Sequence, residues 1–156
     1  MKAAIRNAST AGIKVLLDTK STFTGVEEIV LQEAARAGRS DVVRYVLQQN
    51  PQMTLSEDVR YYAVIGGVSV WKELIAFDPD CVNVEIGHHG DAVGLAAGRN
   101  KAELLAFLLN ETKVDIENSN YAGLPVLPFA ISHQRSGEVV DLLIGHGARM
   151  KDEVDS

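Results

Sequence analysis

The stretch that decides the fold is Glu33–Leu47, which reads EAARAGRSDVVRYVL. Two small residues, Ala34 and Ala35, come before Gly38, and four apolar residues follow at the spacing of one helical face: Val42, Val43, Val46 and Leu47. Helical periodicity on both sides of a glycine predicts two short helices joined by a tight turn. The small residues allow the first helix to pack closely against its neighbours.

The same pattern returns four more times along the chain. Its second helices end near residues 17, 47, 75, 109 and 144, so that successive copies are 30, 28, 34 and 35 residues apart. A helix pair of this size cannot bury its apolar face alone, and stacking successive pairs buries one continuous core. We therefore predict an all-α fold of five stacked antiparallel helix pairs.

The turns and the longer connections follow from the same alignment. We predict a left-handed turn at Gly38 and at Gly66, at Asn100 as the best substitute for glycine, and a break near Gln134. Periods of 34 or 35 residues leave room for a protruding loop, here called a finger, and shorter periods do not. Full fingers are expected near 79–91 and 113–124, with tighter connections near 18–25 and 48–56.

Composition limits the protein classes that fit. The chain has 156 residues, of which 46% are hydrophobic, one cysteine and four histidines. This composition predicts a single domain over 1–156, without a disulfide framework or a membrane segment. The predicted location is intracellular and cytoplasmic, and a nuclear location is also compatible with the sequence. Residues 57–156 carry eight Lys or Arg against sixteen Asp or Glu, which argues against nucleic acid as a partner.

Two segments give the repeats a family resemblance. Val114–Ala130, VDIENSNYAGLPVLPFA, and Leu142–Arg149, LLIGHGAR, resemble the finger-then-helix segment and the closing segment of the ankyrin repeat family. The resemblance implies an ankyrin-type solenoid with β-hairpin-like fingers. Its repeats would cover about 1–23, 24–53, 54–82, 83–116 and 117–150, followed by a short charged tail at 151–156. The family's Thr-Pro-Leu-His tetrapeptide is replaced by Pro125–Pro128 in one repeat and by Asp91–Gly94 in another.

The resemblance also implies a function. Ankyrin repeats bind partners through a concave surface made of the fingers and the exposed side of each first helix, so we expect a non-catalytic protein-protein interaction module without cofactor or metal. The positions that match this surface are Arg36, Val64, Ile65, His88, Gly90, Arg99, Tyr121, Leu124, Ser132 and His133. Tyr and Arg are common anchors of protein interfaces.

Two other functions stay open at this point. Histidines beside acidic residues suit metal binding or general-base catalysis, so His88, His89, Asp91 and His133 define an alternative small-molecule enzyme or binder. Extended chain directs adjacent side chains to opposite faces, and no recognised catalytic motif accompanies these residues. The apolar last helix pair, Val139–Ile144, suggests a self-assembling adaptor that forms homo-oligomers through the C-terminal repeat. Trp71 and Cys81 are expected to be core residues.

Overall fold

The structure is a computed structural model that describes residues 2–19 and 25–150. The predicted connection near 18–25 and the predicted tail at 151–156 therefore lie largely or wholly outside the described residues. Most of the described residues are helical, and the all-α prediction is confirmed at that level. The chain divides into two compact units, Met1–Pro79 and Asp80–Ser156.

The first unit contains three helix pairs within its described residues. They are α1 (Lys2–Asn7) with α2 (Thr10–Asp18), α3 (Val26–Arg36) with α4 (Ser40–Gln49), and α5 (Glu57–Gly66) with α6 (Val68–Phe77). The first helices contact one another in the order α1, α3, α5, and the second helices in the order α2, α4, α6. Each pair thus covers the apolar side of the next, as the regular period predicts.

Several side chains fix these contacts. Trp71 and Val43 are fully buried, as expected for core positions. Glu33 is also buried, and its carboxylate accepts a hydrogen bond from the Arg6 guanidinium at 2.6 Å, which ties α1 to α3. A buried carboxylate requires such a partner, because the loss of solvation would otherwise oppose folding.

One turn of the first unit differs from the prediction. Gly66 is the last residue of α5, and the left-handed residue is Gly67, with a φ of 94°. A Cβ built on Gly66 would lie 1.9 Å from the carbonyl oxygen of Ala35, so Gly66 serves the close approach of α5 to α3. The neighbouring glycine therefore makes the turn, and the assignment of Gly66 to it was wrong.

In its described part, up to residue 150, the second unit contains two further helix pairs and a small hairpin. Two 3₁₀ helices, Pro79–Asn83 and Gly87–His89, lead to α7 (Ala92–Gly98) and α8 (Ala102–Glu111). Strands β1 (Asn120–Tyr121) and β2 (Leu124–Pro125) then lead to α9 (Val126–Ser132) and α10 (Gly137–Gly145). Helix α7 packs on α9, and α8 packs on α10.

The turns within these two pairs occur where the sequence predicts them. Asn100 and Gln134 both have positive φ values, of 57° and 51°. The Asn100 side-chain oxygen also accepts a hydrogen bond from the backbone N–H of Ser136 at 2.9 Å, which links the turn of one pair to the start of α10. Cys81 is fully buried, as expected for a small core residue.

Candidate functional site

The predicted finger at 113–124 ends in a β-hairpin. Asn120 pairs with Pro125 and Tyr121 with Leu124 in antiparallel register. The two connecting residues, Ala122 and Gly123, have φ values of 52° and 78°. Positive φ at both central positions is typical of the type I′ turn, whose twist matches that of the flanking strands. The hairpin, defined here as residues 120–125, therefore has a fixed geometry.

The predicted finger at 79–91 is not a hairpin. Its described residues form two 3₁₀ helices, and the backbone N–H of Ile86 donates to the carbonyl oxygen of Gly90 at 2.7 Å across the second of them. Ile86 is fully buried and anchors this loop. The extended form assumed from the resemblance is therefore replaced by a compact loop, in which His88 and His89 belong to one helical turn.

The hairpin lies directly on three glycines of the preceding repeat. A Cβ on Gly90 or Gly94 would lie 1.7 or 1.6 Å from the carbonyl oxygen of Asn120, and a Cβ on Gly98 would lie 2.4 Å from the ring of Tyr121. Any larger residue would displace the hairpin. We call Gly90, Gly94 and Gly98 the glycine track; its spacing of four residues places the two helical members, Gly94 and Gly98, on one face of α7.

Asp91 joins the hairpin to the helix start. Its carboxylate accepts hydrogen bonds from the backbone N–H of Gly94 and from the hydroxyl of Ser119, both at 2.8 Å. Asp91 is therefore the N-cap of α7 and replaces the threonine that the resemblance would place there. Burial raises the pKa of the Asp91 carboxyl, the nearby Glu85 charge adds to the rise, and the two hydrogen bonds oppose it.

A row of rings extends from the hairpin to the end of α9. The ring centroids of His89 and Tyr121 are 6.1 Å apart, those of Tyr121 and Phe129 are 4.5 Å apart, and those of Phe129 and His133 are 4.1 Å apart with nearly parallel planes. The guanidinium of Arg135 lies 5.5 Å from the Phe129 ring. These four rings, His89, Tyr121, Phe129 and His133, are called the aromatic row.

Most of the predicted contact residues of the second unit lie around this row. Leu124 is paired with Tyr121 in the hairpin and is 48% exposed, and Arg99 follows the glycine beneath the Tyr121 ring. The finger face is defined here as the half-buried Tyr121 together with the exposed predicted contact residues of this unit: His88, Arg99, Leu124, Ser132 and His133. Gly90 is buried beneath Asn120 and so does not belong to this exposed face, although it lines an open cleft beside His88.

The predicted residues of the first unit are divided. Arg36 is exposed, with its guanidinium 5.6 Å from the Tyr62 ring, and Ile65 is 47% exposed. Val64 is only 2% exposed, because the end of α5 packs closely on α3. Its assignment to a partner-binding surface was therefore wrong.

The four residues of the alternative pocket occupy different environments. His88 lines an open cleft of about 310 Å³ together with Glu85, Gly87, Gly90, Asn120, Ala122 and Gly123. Asp91 is engaged as a helix cap, His89 lies toward Tyr121, and the His133 Nδ1 is 3.1 Å from the carbonyl oxygen of Phe129. Within residues 2–19 and 25–150, no three His, Cys, Asp or Glu side chains are grouped so that they could hold a metal ion.

The face of α10 is partly apolar and open. Ile144 is 55% exposed, and a second open cleft of about 490 Å³ is lined by Glu138, Asp141, Leu142, Gly145 and His146.

No helix in the described part of the chain combines the length and hydropathy needed to cross a bilayer.

Comparison with family models, with curated proteins and with solved structures finds no match to this chain. The open cleft of about 310 Å³ that His88 lines is called the finger cleft.

Proposed function

We propose that this chain is an ankyrin-type repeat protein that recognises a protein partner, without catalysis, through the finger face of its second unit. The observation that carries the proposal is the hairpin seated on the glycine track, which holds Tyr121 and Leu124 in place beside the aromatic row. A surface held rigid before binding loses less conformational entropy when the partner docks. The chemistry of the face suits recognition, because tyrosine and arginine are common interface anchors.

The ankyrin-type assignment is supported by the order of elements. In each unit the first helices contact first helices and the second helices contact second helices. A hairpin with a two-residue turn comes directly before α9 in the final repeat, where the resemblance places a finger. The regular period of helix pairs in the sequence adds to this support.

The test of the proposed function compares capture of a partner by matched variants. Wild-type protein is used to capture partners from native lysate, and a specifically retained protein is then titrated against Arg99→Glu, Leu124→Ser and the control Glu103→Lys. Arg99 and Leu124 belong to the finger face, whereas Glu103 is an exposed residue near the start of α8. We expect each of the first two changes to weaken binding at least about tenfold, the usual effect of losing an interface anchor.

The control must bind as tightly as the wild type, and circular dichroism must show all three variants to be folded. If the retained protein binds Arg99→Glu and Leu124→Ser with unchanged affinity, the finger face is not the recognition surface.

The open face of α10 favours a second candidate, self-association through the C-terminal repeat. Ile144 is largely exposed on this helix, and Leu142 of the same helix lines the open cleft. Exposed apolar surface often marks an interface. Sedimentation velocity at increasing protein concentration is expected to show a dimer that Ile144→Asp dissociates. A monomer over the whole concentration range would remove this candidate.

A further inference from the structure

The finger cleft has the size of a side-chain receptor. Its volume of about 310 Å³ lies at the lower end of the roughly 300–1,000 Å³ that ligand sites enclose. Gly87, Gly90, Ala122 and Gly123 form much of its wall, so that the cleft is bounded largely by backbone. An open cleft of this size can hold one extended side chain of a binding partner, but it is too small to enclose a large ligand.

The charge of the cleft selects the kind of group. Among the described residues, Glu85 is the one carboxylate in its lining, and neither Lys nor Arg lines it. The side-chain amide of Asn120 donates to Glu85 Oε1 at 3.3 Å, which ties the carboxylate to the hairpin side of the cleft. The buried Asp91 lies close enough that the Glu85 charge contributes to the raised pKa of its carboxyl. A cation in the cleft would relieve this repulsion between two acidic groups.

The wider environment attracts the same group. Residues 80–156 contain six Lys or Arg and twelve Asp or Glu, so that the second unit is acidic as a whole. His88 is exposed at the cleft and offers a flat ring against which a guanidinium can stack.

We propose that the finger cleft is a binding site for a basic side chain of the partner, arginine in preference to lysine, with Glu85 as the ion-pair partner. The inference rests on the proposed function, since it supplies the chemistry of the partner segment that lies beside the finger face. The carboxylate of Glu85 accepts the N–H groups of the guanidinium, and His88 packs on its planar face.

The inference is tested with a small probe and no natural partner. N-acetyl-arginine methylamide is titrated into ¹⁵N-labelled protein, and N-acetyl-citrulline methylamide serves as an uncharged probe of nearly the same shape. We expect the arginine probe to shift the amide resonances of Gly87, Gly90 and Gly123 with saturation, and the citrulline probe to leave them unchanged. Glu85→Gln should weaken the arginine probe about fivefold, the effect of one exposed ion pair.

The control variant is Glu103→Gln, which removes an exposed negative charge of α8 that does not line the cleft. It should bind the arginine probe as the wild type does. Equal binding of the two probes, equal binding by Glu85→Gln and the wild type, or the absence of shifts at the three glycines would each overturn the inference. None of these results affects the capture experiment with Arg99→Glu and Leu124→Ser, so the two proposals fail separately.

Discussion

Replacement of Gly94 by alanine is expected to destabilise the second unit although it adds a better helix former. The new Cβ would lie 1.6 Å from the carbonyl oxygen of Asn120. Non-bonded heavy atoms settle at about 3.5–4.0 Å, so the hairpin must move by about 2 Å. The obstructing atom belongs to the backbone, and a rotamer change cannot remove the clash.

The magnitude follows from three contributions. Overpacking of this kind costs about 1–3 kcal/mol, and displacement of the hairpin weakens the Ser119–Asp91 hydrogen bond, which is worth about 1 kcal/mol. The higher helix propensity of alanine offsets about 1 kcal/mol of this loss of stability. We therefore expect Gly94→Ala to lower the free energy of unfolding of the second unit by about 1–3 kcal/mol.

Gly145→Ala is the matched control, since Gly145 is the last residue of α10 and a Cβ built there meets no atom within 4 Å in the described structure. This change should be neutral or should stabilise the unit by up to about 1 kcal/mol. Stability is measured by urea denaturation, together with hydrogen exchange at the amides of Tyr121 and Leu124 to report on the hairpin itself. If Gly94→Ala is as stable as Gly145→Ala and the hairpin amides keep their protection, the hairpin is not seated on the glycine track.

Three further predictions concern separate parts of the structure. Burial raises the pKa of Asp91 above its ordinary 3.8, so the unfolded chain ionises at lower pH than the folded protein. The folded protein therefore loses stability as pH rises through the window from 3.8 to the raised pKa. Asp91→Asn, which keeps the cap, should therefore gain stability relative to the wild type across that window in urea denaturation, and a constant difference would contradict this. Gln134→Gly should raise the melting temperature, because it removes the strain of a left-handed non-glycine residue, which is about 1 kcal/mol. Asn100→Gly should lower the melting temperature, because the hydrogen bond from the Ser136 backbone N–H is lost. The opposite order of melting temperatures would refute the reasoning. Trp71→Ala should lower the free energy of unfolding by about 3–5 kcal/mol in chemical denaturation. Trp71→Phe should lower it much less, since the indole Nε1 has no hydrogen-bond partner among the described residues. Equal losses of stability in the two variants would contradict this prediction.

The sequence pattern was sufficient for the helices and for most of their turns. Apolar periodicity and turn residues depend on neighbours within a few positions, so the sequence indicated the helix pair around Gly38, the left-handed turn at Asn100 and the break near Gln134. Assignment to a surface depends on what packs from another repeat, and this is why Val64 was placed wrongly: α3 covers the end of α5.

The seat of the hairpin could not be predicted from the sequence for the same reason. Gly94 stands where the resemblance places the last residue of the Thr-Pro-Leu-His tetrapeptide, and locally it looks like a departure from the pattern. Its use becomes visible only when Asn120, 26 positions later, approaches it. The capping role of Asp91 was available from the residue type, since Asp is a favoured N-cap, but its bond to Ser119 was not.

The central claim is that the hairpin is fixed on the glycine track and that the finger face is formed before a partner binds. Its most direct test is the nuclear Overhauser contact between the Tyr121 ring and the α-protons of Gly98. The Tyr121 ring lies over Gly98, so strong contacts and an upfield ring-current shift of the Gly98 α-protons are predicted. Gly98 α-protons at unshifted positions, without contacts to the Tyr121 ring, would contradict the account.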